Sequence, residues 1–457
     1  MWTEDTIAAI ATPLGEGGLA VVRVSGAEAL TIADKVFVPW SRSATKPSLC
    51  ASHTLHLGRI VRGARTVDEV MMAVMRAPRT YTREDVVEFS CHGGLLVART
   101  VLETILEQGA RLAQPGEFTR RAFIHGRMDL AQAEAVADLI HSRTELALAA
   151  ANEQLAGKLS HRINELRDSL MQSLAHVEAY LDFPEEDIAP ATRSQLEGRL
   201  QETRKAIERL LATAREGQIL RCGIRAVIIG RPNVGKSSLL NLLLGHDRAI
   251  VSPQPGTTRD TIEEPANIRG IPVVFADTAG LRSADDLLEH EGIQRSFRAL
   301  EKAELVLLVL DGSQEWTAED ESCLRLVQNR RHVVVMNKSD LQRRMGWFPA
   351  KGEQVIAISC ATGQGLEDLK EAIYRAIWAG QTHPAKLEVV INGRHQDALR
   401  RTREAVEGAI HSLIDQASLE CIAVDLRAAV NAIGEIVGKT TTDDLLDSIF
   451  SQFCIGK

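Results

Sequence analysis

Apolar positions change their spacing three times along this chain. Over residues 1–118, short β-branched runs (LAVVRVSG, VDEVMMAVM, DVVEFSC) alternate with glycine and proline punctuation, which predicts an α+β unit. Over 119–215 the spacing becomes helical. Between Met128 and Phe183 there is one glycine, Gly157, and no proline. There LAGKLSHRINELRDSLMQSLAHVEAYL repeats its apolar residues every three or four positions. A second helical run, LEGRLQETRKAIERLLATA, follows the segment FPEEDIAPAT. From 216 to 380, strand-like runs (IRAVIIG, IPVVFAD, ELVLLVLD, HVVVMNK, QVIAIS) alternate with helical segments, the pattern of a parallel sheet covered on both faces. Helical texture then returns in 381–457 and runs up to DDLLDSIFSQF.

The simplest architecture is nested, with an α/β domain at 216–380 interrupting a helical domain made of 119–215 and 381–457. Insertion is tolerated where chain ends lie close together at a surface. Neither helical half need fold alone, because a helix with one apolar stripe needs a partner to bury it. The other reading is two independent helical regions.

Composition narrows the class. A chain of 457 residues has room for about three domains. Its formal charge of −8 argues against bulk attraction to nucleic acid or to an anionic membrane, while leaving room for a local basic surface. The seven cysteines are scattered with no C-x-x-C pair, which favours a reducing compartment and offers no zinc pattern. Glu4 and Asp5 precede the first basic residue, Arg23, unlike a signal or transit peptide. No stretch approaches the roughly 20 apolar residues that span a bilayer. The expected location is the cytoplasm, without membrane attachment.

The clearest chemistry is GRPNVGKSS, which follows the strand IRAVII and opens a helix. It matches G-x-x-x-x-G-K-S. Its backbone N–H groups, over Asn233, Val234, Gly235, Lys236, Ser237 and Ser238, can converge on phosphate oxygens. Lys236 reaches the β- and γ-phosphates, and the Ser237 hydroxyl can ligate Mg²⁺. Three further motifs end predicted strands. DTAG (Asp277, Thr278, Ala279, Gly280) offers a carboxylate for Mg²⁺ through water and an amide for the γ-phosphate. NKSD (Asn337, Lys338, Asp340) offers a carboxylate that accepts from guanine N1–H and its exocyclic amine, selecting G over A. SCATG (Ser359, Cys360, Ala361) would cover the base. Together they point to a GTPase, with its sites at the carboxyl ends of strands.

The flanks carry a closer likeness. DTIAAIATPLGEGGLAVVRVSG, PGEFTRRAF, MDLAQAEAVADLI, LDFPEEDI, GRPNVGKSSLLN, PGTTRD, DTAGLR and the terminal FCIGK resemble blocks of the MnmE/TrmE family of tRNA-modification GTPases. The resemblance covers essentially the whole chain. It implies a folate-binding-like amino-terminal domain, a discontinuous helical domain and an inserted P-loop GTPase domain.

The resemblance also implies a mechanism. The position after D-x-x-G that holds a water-orienting glutamine in many small GTPases is Leu281 here, with no hydrogen-bonding atom. The family instead uses K⁺ and a distant glutamate. The matching K⁺ positions are Asn233, Ser252, Gln254 and Thr257, with Gly256 in the same nucleotide-contacting loop. Thr258 matches the switch residue on Mg²⁺, and Glu289 the glutamate that orients water. A solvated helix face is the bland reading for that acid and its neighbours Asp286 and Glu291.

A tetrahydrofolate derivative, 5,10-methylene- or 5-formyl-tetrahydrofolate, is implied at Arg23, Glu88, Arg127 and Lys457. The family position matching Arg127 is often lysine, so the planar fork is a departure. The bland readings are a strand-end charge, a polar strand face and a helix-start charge. His92 in SCHGG reads as a structural histidine. The implied function is addition of a carboxymethylaminomethyl or aminomethyl group to C5 of the wobble uridine. The implied partners are tRNA, a second copy in a homodimer and an FAD-containing MnmG/GidA-type protein, forming a heterotetramer or larger assembly. A signalling or ribosome-assembly switch is the alternative. CIGK departs from the prenylation motif, with glycine at the second aliphatic position and lysine last. Cys454 then reads either as a thiol beside the one-carbon donor, with a catalytic role, or as a packing residue.

Overall fold

The computed structural model describes residues 5–41, 45–182, 190–246, 265–275, 300–347, 354–378 and 389–457. Two sheets anchor it. The first has seven strands, β1 (Ile7–Ile10), β2 (Gly17–Ser25), β3 (Phe37–Pro39), β4 (Thr54–Arg62), β5 (Arg65–Met75), β6 (Val86–Gly93) and β7 (Arg111–Leu112), in the order β3-β4-β5-β6-β2-β1-β7. Helices α1 (Ala29–Val36) and α2 (Leu95–Leu106) cover one face. On β2 the alternation is plain: Val22 and Val24 are buried, whereas Val21 and Arg23 are half-buried. Arg23 pairs in register with Glu88 on β6. The histidine of β6, His92, is exposed, and its Nδ1 lies 2.8 Å from Asp68 Oδ1.

Helix α3 (Glu117–Ile124) is fastened to this sheet by Arg121, the bulkiest fully buried side chain. Its guanidinium donates to the Asp5 carbonyl at 2.7 Å and to the Asp5 carboxylate at 2.6 Å, and meets Glu84 and Glu117 at 3.1 Å. Burying one arginine among three carboxylates satisfies its charge and fixes where α3 sits.

The helical region follows as α4 (Leu130–His141), α5 (Glu145–Leu155), α6 (Lys158–Asp182), α7 (Pro190–Ala212) and α8 (Ala214–Cys222). Asp129 caps α4, accepting from Gln132 N–H, while Gln132 returns the bond to the Asp129 N–H.

The second sheet is built from β8 (Ile224–Ile229), β9 (Pro265–Ile268), β10 (Ile271–Phe275), β11 (Leu305–Asp311), β12 (His332–Asn337) and β13 (Val355–Ala357), in the order β13-β12-β11-β8-β10-β9. All pairs are parallel except β9 with β10. Helices α9 (Lys236–His246), α10 (Ala318–Val327) and α11 (Leu366–Trp378) flank it. The strands β10 and β11 are buried along their whole length, as a doubly covered parallel sheet demands.

The chain ends in α12 (Gly393–Ile414), α13 (Leu419–Val437) and α14 (Asp443–Phe450). One core joins both helical stretches: Leu159, Ile163, Leu170 and Val177 of α6 and Ile207 of α7 pack with Val406 of α12 and Leu426 and Ile433 of α13. No described helix is long and apolar enough to cross a membrane.

A buried ionic contact ties the two stretches. Glu134 of α4 accepts from Arg394 Nε and Nη2 of α12, both at 2.9 Å. His395 Nε2 lies 2.7 Å from Glu134 Oε2, the oxygen that Arg394 Nη2 also meets. His395 Nδ1 accepts from Asn392 N–H, so the neutral ring carries its proton on Nε2. Burial pushes the Glu134 carboxyl up, but His395 and Arg394 outweigh it and hold the group well below the usual carboxylate range. A depressed carboxyl contributes stability above its unfolded pKa of about 4.3, and loses it as the pH falls toward the folded value. Glu134→Gln is therefore expected to cost about 3–5 kcal/mol, because it leaves the arginine uncompensated. Urea titration will show a lowered midpoint, and one that falls less steeply below about pH 4.3 than in the wild type.

Candidate functional site

Strand β8 delivers the chain to Gly230, and the loop 230–235 carries it into α9 at Lys236. Lys236 folds back over this loop, its Nζ donating to the carbonyls of Gly230 at 2.9 Å and Arg231 at 2.7 Å. Burial lowers its ammonium pKa, a cost that an incoming triphosphate would offset. Asn233 is exposed and left-handed, with φ 60°. Val234 is buried under the loop. Gly235 has φ 101°, and a Cβ there would run into the Asn337 amide.

Asn337 links three pieces of the site. Its Nδ2 donates to the Val234 carbonyl at 2.8 Å, and its Oδ1 accepts from Cys360 N–H at 3.1 Å. The phosphate loop, the end of β12 and the Ser359–Ala361 turn are thereby held together. Ser359 is fully buried, and its Oγ accepts from Thr362 N–H at 3.2 Å. Burial pushes the Cys360 thiol up to about 11, so it is protonated at neutral pH. Lys338 is left-handed at φ 63°, and its Nζ meets Asp311 Oδ2 at 2.6 Å. Burial pushes the Asp311 carboxyl up, but Lys338 and Ser313 outweigh it and hold it low. Asp340 is exposed beyond them.

The ends of β8, β11, β12 and β13, which are parallel neighbours, thus converge on one edge. Ser237 and Ser238 lie in the first turn of α9. Ser252, Gln254, Gly256, Thr257, Thr258, Asp277, Thr278, Ala279, Gly280 and Glu289 lie outside the described residues.

Two supports escaped the sequence reading. Asp311 closes an all-apolar strand, and an acid in that place was the available signal. Asp320 of α10 is fully buried and accepts from Arg231 Nε at 2.8 Å, fastening the second residue of the phosphate loop. Nothing local marked that pair, which spans 89 positions.

A second cluster forms where the amino-terminal sheet meets the carboxyl-terminal tail. Arg23 Nε donates to Glu88 Oε1 at 2.6 Å, and its Nη1 donates to the Gly456 carbonyl at 3.2 Å. The same guanidinium stands 5.6 Å from the Phe118 ring centre and 5.9 Å from Tyr81. Arg127 covers Tyr81 from 4.6 Å and donates to the Tyr81 carbonyl at 3.0 Å. Arg23, Glu88 and Arg127 are therefore brought together, with Lys457 the next residue after Gly456. Tyr81 and Phe118 were not anticipated, because only tertiary contact places them beside the arginines.

The tail is seated by Phe450 and Phe453, which pack with Ala122, Met128 and Leu130. Gly456, at φ 96°, lies so close to the Ile10 carbonyl that a side chain there would clash. The Cys454 carbonyl accepts from Gly116 and Lys457 N–H, both at 3.4 Å. Its side chain is exposed.

A phosphate loop after the first strand of a parallel sheet, tied to N-K-x-D and S-C-A turns on neighbouring strands, defines a P-loop protein of the GTPase class. Residues 6–127 match the family described as GTP-binding protein TrmE N-terminus, and residues 130–454 match the MnmE helical domain. The chain is 47% identical over 462 residues to tRNA modification GTPase MnmE of Geobacter metallireducens, covering 100% of both chains. It is 46% identical over 460 residues to the Geobacillus kaustophilus protein, covering 99% of each. With the Bacillus subtilis protein it shares 44% over 460 residues, covering 99% of this chain and 100% of that one. The chain belongs to the MnmE family of tRNA modification GTPases.

Proposed function

We propose that this chain hydrolyses GTP to drive modification of C5 of the wobble uridine, position 34, in certain tRNAs. Acting with an FAD-containing partner, it would add an aminomethyl or carboxymethylaminomethyl group. The observation that carries this reading is the convergence of Arg23, Glu88, Arg127 and the tail ending in Lys457, in a chain that also holds a phosphate loop.

The donors at the second cluster fit a reduced pterin carrying a glutamate. Glu88 can accept from a pterin amino edge, Arg127 and Lys457 can meet carboxylates, and Tyr81 offers a flat face. Tetrahydrofolate would supply the methylene carbon. Cys454, exposed on the tail, is the proposed nucleophile. Cys454→Ser is the test of that role, and full modification by this variant would retire it.

At the nucleotide site, Lys236 leaves the loop carbonyls to meet the β- and γ-phosphates, and Ser237 with Thr258 would hold Mg²⁺. Asn233, Ser252, Gln254 and Thr257 would hold K⁺, which offsets charge developing between the phosphates, as an arginine finger does elsewhere. Glu289 would orient the attacking water. GTP turnover is expected to fall when Na⁺ replaces K⁺, and Glu289→Ala to lose about 10²–10⁴-fold in kcat. Equal rates in the two salts would remove the potassium site, and a wild-type rate in the variant would remove the glutamate.

The same account has two copies joined through the amino-terminal domains, and the partner supplying much of the tRNA grip, because the formal charge of −8 gives little phosphate attraction. Nucleoside analysis of tRNA from a strain lacking this gene tests the whole reading. Loss of the C5 substituent at the wobble uridine is expected. Unchanged wobble uridines would favour a GTPase switch without modification chemistry.

A further inference from the structure

Helix α4 runs from the one-carbon cluster to the two connections that lead into and out of the nucleotide-binding sheet. It begins three residues after Arg127, whose guanidinium covers Tyr81, and runs about 18 Å at 1.5 Å per residue. Its start is fixed by the Asp129–Gln132 capping box and by Leu130 and Ala133, which pack under Phe450 and Phe453 of the tail. Further along, Glu134 and Asp138 stand one turn apart on the same face.

Each of these acids holds one of the two connections to the nucleotide-binding sheet. Glu134 holds Arg394 and His395, at the start of α12, where the chain returns from that sheet. Asp138 Oδ1 accepts from Arg221 Nε at 2.7 Å, with Nη2 at 2.6 Å. Arg221 is the penultimate residue of α8, and Gly223 alone separates α8 from β8, the strand that ends in the phosphate loop. The two connections also touch each other, since Gly217 of α8 lies directly against the Ile391 backbone. A further contact reaches the sheet itself, where Leu146 of α5 packs on Gly270 in the β9–β10 turn.

The two ion pairs differ in kind. At Glu134 the side chains are 10%, 18% and 0% exposed for the acid, Arg394 and His395, so that grip is shielded from water. At Asp138 the acid is 14% exposed but Arg221 is 32% exposed, so water has access to this contact and can replace it.

We infer that the Asp138–Arg221 pair is a positioning contact that lets the nucleotide state at the phosphate loop act, through α4, on the one-carbon cluster at Arg127 and Tyr81. This rests on the functional reading above. In linkage terms, a bound GTP transition-state mimic changes the affinity for a folate, and a folate changes the affinity for the mimic by the same factor. Couplings of this kind typically span roughly 5- to 150-fold.

The test uses the full chain. Affinity for 5-formyl-tetrahydrofolate is titrated with no nucleotide and with GDP–aluminium fluoride in KCl, for wild type, Asp138→Asn, Arg221→Gln, the double variant, and the charge exchange of Asp138→Arg with Arg221→Asp. GTP turnover and circular dichroism accompany each. Wild type is expected to show a nucleotide effect of at least about 5-fold. The single variants are expected to keep GTP turnover and nucleotide-free folate affinity within about 2-fold while losing most of that effect, and the double variant to lose no more than either. The charge exchange is expected to restore part of it. A folded Asp138→Asn protein with an undiminished effect overturns the inference. A wild-type protein that binds folate with no nucleotide effect overturns it too, while leaving the functional reading intact. Absence of folate binding by the wild type overturns the functional reading itself.

Discussion

Asp340→Asn is expected to weaken GTP binding by about 10⁴-fold and to admit xanthosine triphosphate in its place. A carboxylate here would accept from both the N1–H and the 2-amino group of guanine. An asparagine amide keeps one acceptor and turns the other into a donor, which faces the guanine amine with the wrong sign. Xanthine carries a carbonyl where guanine carries that amine, so the same amide then matches it. The surroundings hold the motif still. Asn337 is bonded on both sides, to Val234 and Cys360, and Lys338 is held by Asp311. Asp340 itself is exposed, so the substitution disturbs no core. Competition between labelled GTP and XTP reads the result. Unchanged preference for GTP would mean that the base is read elsewhere.

Arg23→Ala is expected to abolish measurable folate binding while leaving GTP turnover intact. The side chain links four elements at once: Glu88 on β6, the Gly456 carbonyl of the tail, and the rings of Phe118 and Tyr81. Losing it removes two charge-assisted bonds worth about 1.5–3 kcal/mol each, which hold Glu88 and the Gly456 carbonyl in place, and so releases the acid and the tail that would meet the folate. Arg23→Lys should rescue poorly, because an ammonium cannot donate along two fixed directions to Glu88 and Gly456. Calorimetric titration with 5-formyl-tetrahydrofolate measures both variants. Wild-type affinity in Arg23→Ala would detach this cluster from folate.

Much of the fold is legible in the sequence. The apolar runs that end in Gly230, Asp311 and Asn337 are β8, β11 and β12: β11 is apolar up to Asp311 and β12 apolar between His332 and Asn337 because both are buried on two faces, while β8 is broken by the exposed Arg225. The glycine-poor stretch from Met128 to Phe183 is α4, α5 and α6. Strands too short to carry a period were not legible: β7 is Arg111–Leu112, recruited by pairing with β1.

The phosphate loop was readable because its chemistry is contiguous. The second cluster was named only through the family resemblance, since Arg23 and Gly456 are 433 positions apart and meet where Phe450 and Phe453 pack the tail against α3 and α4. The motif therefore named Lys457, but the reason it arrives there is packing. Likewise Glu134 and Asp138 look like ordinary helix-surface acids in the sequence. Their partners, Arg394, His395 and Arg221, come from both ends of the interruption in the helical region.

We propose one coupled reaction, in which GTP turnover drives one-carbon transfer onto tRNA. Its most direct test is a reconstituted reaction of this protein, an FAD-containing partner of the MnmG type, GTP, KCl, a wobble-uridine tRNA and tetrahydrofolate carrying a carbon-13 methylene. After digestion to nucleosides, the account predicts the label in the C5 substituent of the wobble uridine, and no label with Lys236→Ala. Substituted uridine without carbon-13, or full labelling by the Lys236 variant, would contradict it.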